Sequence, residues 1–343
     1  MNAVFPFFCR LLRLPRAASR IVPASLGAAL VVAGLSAGLP GGVSGARAEP
    51  VSVTDARGHA VEIADSSRVV SVGGSITEIL YGLGLEDRIV AVDTTSLYPA
   101  EALAEKPNVG YLRALSPEGV LSTDPSLILA EADAGPPEAV ELLETASVPF
   151  VSAPGGTDPE GVAEKIRFVA KVMSVPEAGE DMAKAVAQDL KTVREAVDGL
   201  QDRRRVLFVL SLSNGRIMAA GDGTSAAAMI EMAGADNALT GFTGYKPVND
   251  EAVIEAAPDV IVMMARGDHA AAADEVFAHP ALATTPAADG PHLVTMDGLY
   301  LLGFGPRVAQ AVRDLSHAIY PDAPIPELPE RPWAAASGGA AGQ

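Results

Sequence analysis

From Asp158 to Arg205 the sequence carries no strand signal, while short β-rich runs alternate with helical segments on both sides of it. Asp158 followed by Pro159 is a helix N-cap with proline at the first helical position, and predicts a helix to about residue 173. Pro176 predicts the start of a second helix, running to about residue 200. Its apolar positions Met182, Val186, Leu190, Val193, Val197 and Leu200 are spaced three or four apart, as on one helical face. At 1.5 Å per residue, about 24 residues reach roughly 36 Å, the length of a lobe. Such a helix can bridge two domains.

Before this break, alternation on both sides of an Arg-Gly turn predicts a hairpin of residues 51–54 and 60–63. Strands are expected at 69–72, 89–92, 127–130 and 150–152, with a helix at 75–83. After it, strands are expected at 206–211, 260–264 and 293–296, and helices at 224–233 and 306–320. Strands that alternate with helices imply an α/β fold. The expectation is two lobes, each with a mostly parallel central sheet flanked by helices, joined by one long bridging helix. The N-terminal lobe takes residues 49–157, the helical linker 158–203 and the C-terminal lobe 204–320. Residues 321–343, rich in Pro, Gly and Ala, read as a flexible tail.

Residues 1–48 read as a secretory signal peptide. Arg10, Arg13, Arg16 and Arg20 precede an apolar stretch from about residue 21 to 39, and Ala46-Arg47-Ala48 is a small-x-small cleavage pattern. The stretch is about long enough to span a bilayer, so an uncleaved anchor is the other reading, weakened by Pro23 and several glycines. The one cysteine, Cys9, precedes the apolar stretch and cannot be a lipoprotein's acylated residue; the mature chain has no thiol. Cleavage removes five of the 25 basic residues and none of the 43 acidic ones, taking the formal net charge from −18 to −23. A surface so acidic repels nucleic acid and anionic lipid. An anionic ligand then needs a local cluster of cations.

The two halves share a repeat. Glu118-Gly-Val-Leu-Ser-Thr-Asp-Pro-Ser-Leu-Ile-Leu matches Glu251-Ala-Val-Ile-Glu-Ala-Ala-Pro-Asp-Val-Ile-Val, with Glu and Pro seven apart in both. Each copy reads as a short helix that ends near a proline and feeds a strand. Gly110-Tyr-Leu-Arg lies upstream of the first copy and Gly244-Tyr-Lys upstream of the second, so each half places a tyrosine and a cation before the repeated acid. Two related lobes facing across a cleft would result. Read from the residues alone, Tyr111 could equally pack at a loop edge, and Glu118 and Glu251 could be ordinary helix-start acids favoured by the macrodipole.

With these segments, and with Val69-Val-Ser-Val-Gly-Gly-Ser-Ile-Thr-Glu-Ile, Met218-Ala-Ala-Gly and Leu302-Gly-Phe-Gly-Pro-Arg, the chain resembles a known family over about residues 50–320. It is similar to the periplasmic binding proteins that join two α/β lobes by one long helix and serve siderophore, cobalamin and haem importers. Within that group it resembles the hemin-binding proteins of haem ABC importers. The resemblance implies that Tyr111 ligates the haem iron and that Arg113 contacts the haem. A phenol titrates near pH 10, and a guanidinium and a ferric ion both favour its phenolate, a hard ligand suited to Fe(III). Some relatives supply a second axial ligand, a histidine after the first strand of the second lobe; the matching Leu210-Ser-Leu-Ser-Asn-Gly has none. Tyr111 is then the sole protein ligand, with the iron five-coordinate or water-bound, or the repeat supplies Tyr245 as a candidate on the opposite wall. The propionates need donors, for which Arg113, Lys246, Arg216 and Arg307 are candidates, and Phe304 is a candidate to pack on the porphyrin. For Arg216 and Arg307, salt bridging against the many acids is the competing reading. The resemblance also implies that Glu118 and Glu251 dock on the two subunits of an ABC permease dimer, driven by its ATPase, with the loaded protein a periplasmic monomer.

A siderophore or corrinoid binder of the same importer class is the nearest alternative, and the Tyr111–Arg113 pair argues for haem. A metal-ion binder would need converging ligands, whereas His59, His269, His279, His292 and His317 are scattered. No nucleophile elbow, phosphate loop or metal motif appears, so no enzymatic turnover is expected.

Overall fold

The computed structural model describes residues 50–265, 272–290 and 292–334. The signal segment with Cys9, and His269, lie outside the described residues.

The first half opens with the antiparallel hairpin of β1 (Val51–Thr54) and β2 (Ala60–Ile63). Asp55 closes its turn: Oδ1 accepts from the amides of Arg57 and His59, each at 2.9 Å, and Oδ2 accepts from the Ser152 amide at 3.3 Å. Then follow β3 (Val69–Val72), α1 (Gly74–Gly82), β4 (Ile89–Val92), α2 (Ala100–Glu105), α3 (Pro117–Leu121), β5 (Leu127–Glu131), α4 (Pro137–Glu144) and β6 (Phe150–Ala153). The four strands β3 to β6 form one parallel sheet in the order β4-β3-β5-β6. β3 and β6 are buried along their whole length, as expected where helices cover both faces of a parallel sheet.

Two antiparallel-packed helices follow, α5 (Pro159–Val172) and α6 (Pro176–Val197). The Asp158 carboxylate accepts from the Gly161 amide at 2.8 Å, which is the N-cap expected there. Gly179 permits their close approach, since a Cβ on it would stand 2.1 Å from that of Ala170. At 22 residues, α6 spans roughly 33 Å. It buries Met182, Val186, Leu190, Val193 and Val197 along one face.

The second half comprises β7 (Arg205–Ser213), β8 (Arg216–Ala220), α7 (Ser225–Met232), β9 (Asp236–Asn237), β10 (Tyr245–Val248), α8 (Asp250–Ala256), β11 (Val260–Ala265), α9 (Ala273–Phe277), α10 (Pro280–Ala283), β12 (Leu293–Asp297), α11 (Gly298–Leu302) and α12 (Val308–Ile319). The sheet order is β10-β8-β7-β11-β12, with β9 paired to the start of β7. β7, β11 and β12 are parallel, whereas β8 runs antiparallel to both of its neighbours, β7 and β10, so this sheet is mixed. β8 arises from a two-residue hairpin turn at Asn214 and Gly215, both at positive φ (53° and 70°), the Asn-Gly signature of such a turn.

One apolar core runs through both halves. It joins Val69 and Leu127 of the first sheet to Val206 and Phe208 of the second, through α5, α6 and α12. Separate clusters cover the other face of each sheet. Residues 321–334 correct the expectation of a flexible tail over that part of it. Ile325, Leu328 and Trp333 pack on the shared core, and Arg331 forms a bidentate pair with buried Asp189 of α6 at 2.7 and 2.8 Å. The proline-rich composition allows only a short 3-10 turn at Pro332–Ala334, but it does not prevent anchored side chains. No helix among the described residues is long and apolar enough to cross a membrane.

Candidate functional site

The sequence repeat is a structural repeat. Ser116 and Asn249 cap α3 and α8 in the same way, accepting from the amides of Gly119 at 3.3 Å and Ala252 at 3.0 Å. Val120 and Val253 are buried in both copies, and Glu118 and Glu251 are exposed in both first turns. Each helix is followed by a non-glycine residue at positive φ immediately before the proline, Asp124 at 52° and Ala257 at 40°. Each copy thus presents one acid at the start of a short helix. The upstream glycines match as well: Gly110 has φ 96° and Gly244 φ 83°, a left-handed region that a side chain would strain. These turns aim Tyr111 and Tyr245.

Tyr111 is 42% exposed, a large apolar ring left facing solvent. Arg113 Nη1 donates to its phenol oxygen at 2.6 Å, and the guanidinium lies 5.9 Å from the ring centroid. Arg113 Nη2 pairs with Asp133, just beyond β5. Burial works to lower the Arg113 pKa, but the bonds to Tyr111 and Asp133 outweigh it and hold the guanidinium above its ordinary value. Tyr245 is half-buried, its ring edge-on to Phe208 with centroids 6.2 Å apart. Burial pushes the Tyr245 phenol up; the Ala226 amide, the Thr224 hydroxyl and the charge of Arg113 pull it down. Arg113 thus bonds Tyr111 directly, and its charge reaches Tyr245 of the other half.

Beside them lies a cavity of about 190 Å³ between the halves. Glu131 and Asp133 line it from the first half, Lys165 from the linking helix α5, and Ser225, Leu302, Gly303 and Phe304 from the second half. The Lys165 side chain enters from α5 and donates to Ser75 Oγ at 3.0 Å, and Glu131 accepts from the amide and hydroxyl of the same serine at 3.2 and 2.7 Å. Sequence reasoning missed Lys165, Glu131, Asp133 and Ser225. The available signal for Lys165 was its place on the apolar face of α5, three residues after Val162 and four before Val169.

Lys246 is exposed on β10, its ammonium 5.8 Å from the Phe242 ring centroid. Arg216 is exposed at the far end of β8 from Ala220, the partner of Tyr245, roughly 13 Å along the strand. Phe304 lines the cavity although it is only 3% exposed, with its side chain also packed in the shared core. One expectation needs correction. Arg307 is 4% exposed and holds Glu78 of α1 in a bidentate pair at 2.5 and 3.1 Å, 229 residues away in sequence. Tyr98 stacks on its guanidinium at 3.6 Å from the centroid, with Tyr300 at 5.0 Å. Arg307 is thus a tie between the halves, with its fork already filled by a protein carboxylate. Glu78 itself has its carboxyl pushed up by burial, against the pull of Arg307.

Among families of known proteins, the one described as periplasmic binding protein matches residues 69–299. Among solved structures, the chain is similar to the periplasmic heme-binding protein BhuT in complex with two hemes: 39% identity, a TM-score of 0.71, and coverage of 74% of this chain and 98% of that one. It is 27% identical over 277 residues to the uncharacterized ABC transporter substrate-binding lipoprotein YvrC of Bacillus subtilis, covering 80% of this chain and 86% of that protein. It is also 26% identical over 197 residues to the vitamin B12-binding protein of Vibrio campbellii, covering 57% of this chain and 70% of that one.

Proposed function

Because this chain belongs to the periplasmic binding protein family, we propose that it binds ferric haem between its two lobes in the periplasm and delivers it to an ABC permease dimer with its ATPase. The observation that carries the reading is the Arg113-to-Tyr111 bond beside the cavity between the halves, in a chain 39% identical to a heme-binding protein over 74% of its length. Tyr111 supplies the iron ligand. Arg113 holds the phenol oxygen and stabilises the charge that develops there when the metal displaces the proton. Tyr245 closes the site from the second lobe, and Lys246, next to it on β10, is a cation available to a propionate at its rim, with Arg216 farther out at the other end of β8. Because the lobes share one core, opening and closing are small-angle motions.

A corrinoid or siderophore cargo is the second reading, favoured by the likeness to a vitamin B12-binding protein, though at lower identity and over less of the chain. Titration of the mature protein decides between them. Haem is expected to bind saturably with a ferric spectrum, and cyanocobalamin neither binds nor competes. Saturable binding of the corrinoid and none of haem would reverse the assignment.

Glu118 and Glu251, presented alike by the two repeat helices, dock on the two permease subunits, as fits a two-fold partner. The Glu118→Ala/Glu251→Ala protein is expected to bind haem normally and to lose haem uptake in cells; uptake at the wild-type rate would remove the docking role.

A further inference from the structure

We infer that Lys165 is the residue that recognises a carboxylate of the cargo, receiving one haem propionate at the floor of the cavity between the lobes. The inference rests on the haem reading above and deepens it.

Lys165 is 5% exposed, yet it lines the cavity of about 190 Å³. A lysine ammonium carries three donors, and burying it is unfavourable unless partners satisfy it. Among the described residues Lys165 makes one hydrogen bond, to Ser75 Oγ, and no ion pair within 4.0 Å. The two carboxylates of the cavity wall already have partners. Glu131 accepts twice from Ser75, and Asp133 is held by Arg113. The positive charge is the member of the set left with donors to fill.

The placement fits one arm of a larger ligand. The cavity is too small for a whole tetrapyrrole, but it holds a carboxylate side chain. Asp133 lines it and pairs with Arg113, which in turn donates to Tyr111, so the floor is continuous with the iron-binding wall. With Arg307 occupied by Glu78, Lys165 is a buried cation that remains open to cargo. A carboxylate there also separates haem from corrinoids, whose peripheral arms are neutral amides.

Haem and haem dimethyl ester, titrated into the wild-type protein and into Lys165→Met, test this. Wild type is expected to prefer haem by roughly ten- to a hundredfold, the size of a charge-assisted hydrogen bond. In Lys165→Met that preference shrinks by roughly tenfold or more, through weaker haem binding with the ester unchanged. Lys165→Gln gives the same result if the methionine protein does not fold. A preference retained in full by either variant overturns the assignment. Equal wild-type affinity for haem and ester also overturns it while leaving haem as cargo. No saturable binding of either compound defeats the haem reading itself.

Discussion

Ferric haem titrated into a Tyr111→Phe protein binds at least roughly a hundredfold more weakly than to the wild type, and its phenolate-to-iron charge-transfer band is gone. The magnitude follows from comparison with outer-shell groups. Removing a residue that only orients a metal ligand costs about 10- to 100-fold in affinity, so removing the ligand atom itself belongs at the upper end or beyond. Phenylalanine keeps the ring and its exposure, and Gly110 still sets the turn that aims it. Only the oxygen that accepts from Arg113 at 2.6 Å is lost. Arg113 keeps its pair with Asp133, so the guanidinium stays charged, partnered and near the cavity. The effect is therefore read on the iron bond rather than on the fold. Absorbance titration of both proteins measures it. An unchanged spectrum and affinity would move the ligand to Tyr245, whose half-buried phenol lies within the field of Arg113, and the same titration of Tyr245→Phe would then show the loss.

Local signals carried much of the fold. The expected helix at 75–83 is α1 at Gly74–Gly82, and the cap at Asp158 forms as its residue type dictates. The repeat was legible because the matched glutamate and proline lie seven residues apart in both copies, and the structure adds the matching caps, the buried valines and the positive-φ residues before each proline. β8 and β10 were missed. β8 carried a signal in Asn214-Gly215, but its burial does not alternate regularly, and β10 has only Tyr245 and Val248 partly buried around an exposed lysine and a proline. Both strands are held by neighbours on the sheet more than by their own pattern. In the site, Tyr111 and Arg113 were visible because they lie two residues apart. Lys165 was hidden because an isolated lysine on an amphipathic helix reads as solvent-facing until the helix is seen to pack against α1. Nothing local to Arg307 points to Glu78, so its identity as a tie between lobes required the folded chain.

That tie gives the largest expected change in stability. Arg307→Met leaves Glu78 buried without its bidentate partner, and breaking one side of a buried pair costs about 3–5 kcal/mol. Methionine fills much of the same volume between Tyr98 and Tyr300, so the loss comes mainly from the stranded carboxylate. The groups left to act on it are Lys165, which lowers its pKa, and Asp297, which raises it alongside burial. Burial already dominates in the wild type, and the variant removes the strongest opposing influence. The folded-state pKa of Glu78 then lies above its unfolded value of about 4.3, so the folded protein binds the extra proton. For a group raised in this way, its favourable contribution is present below the unfolded pKa and is lost as pH rises through the folded pKa. Relative to wild type, the variant is therefore expected to lose more at pH 7 than at pH 5, since protonation relieves the stranded charge as pH falls toward the unfolded value. Urea unfolding of both proteins at the two pH values measures the difference; an equal loss at both would mean that Glu78 does not become a buried anion. Glu78→Leu/Arg307→Met removes both charges and should recover most of the loss, since an apolar replacement of a buried ion pair is often neutral or stabilising. If the double variant were as unstable as the single one, shape between the lobes rather than charge would be what this contact supplies.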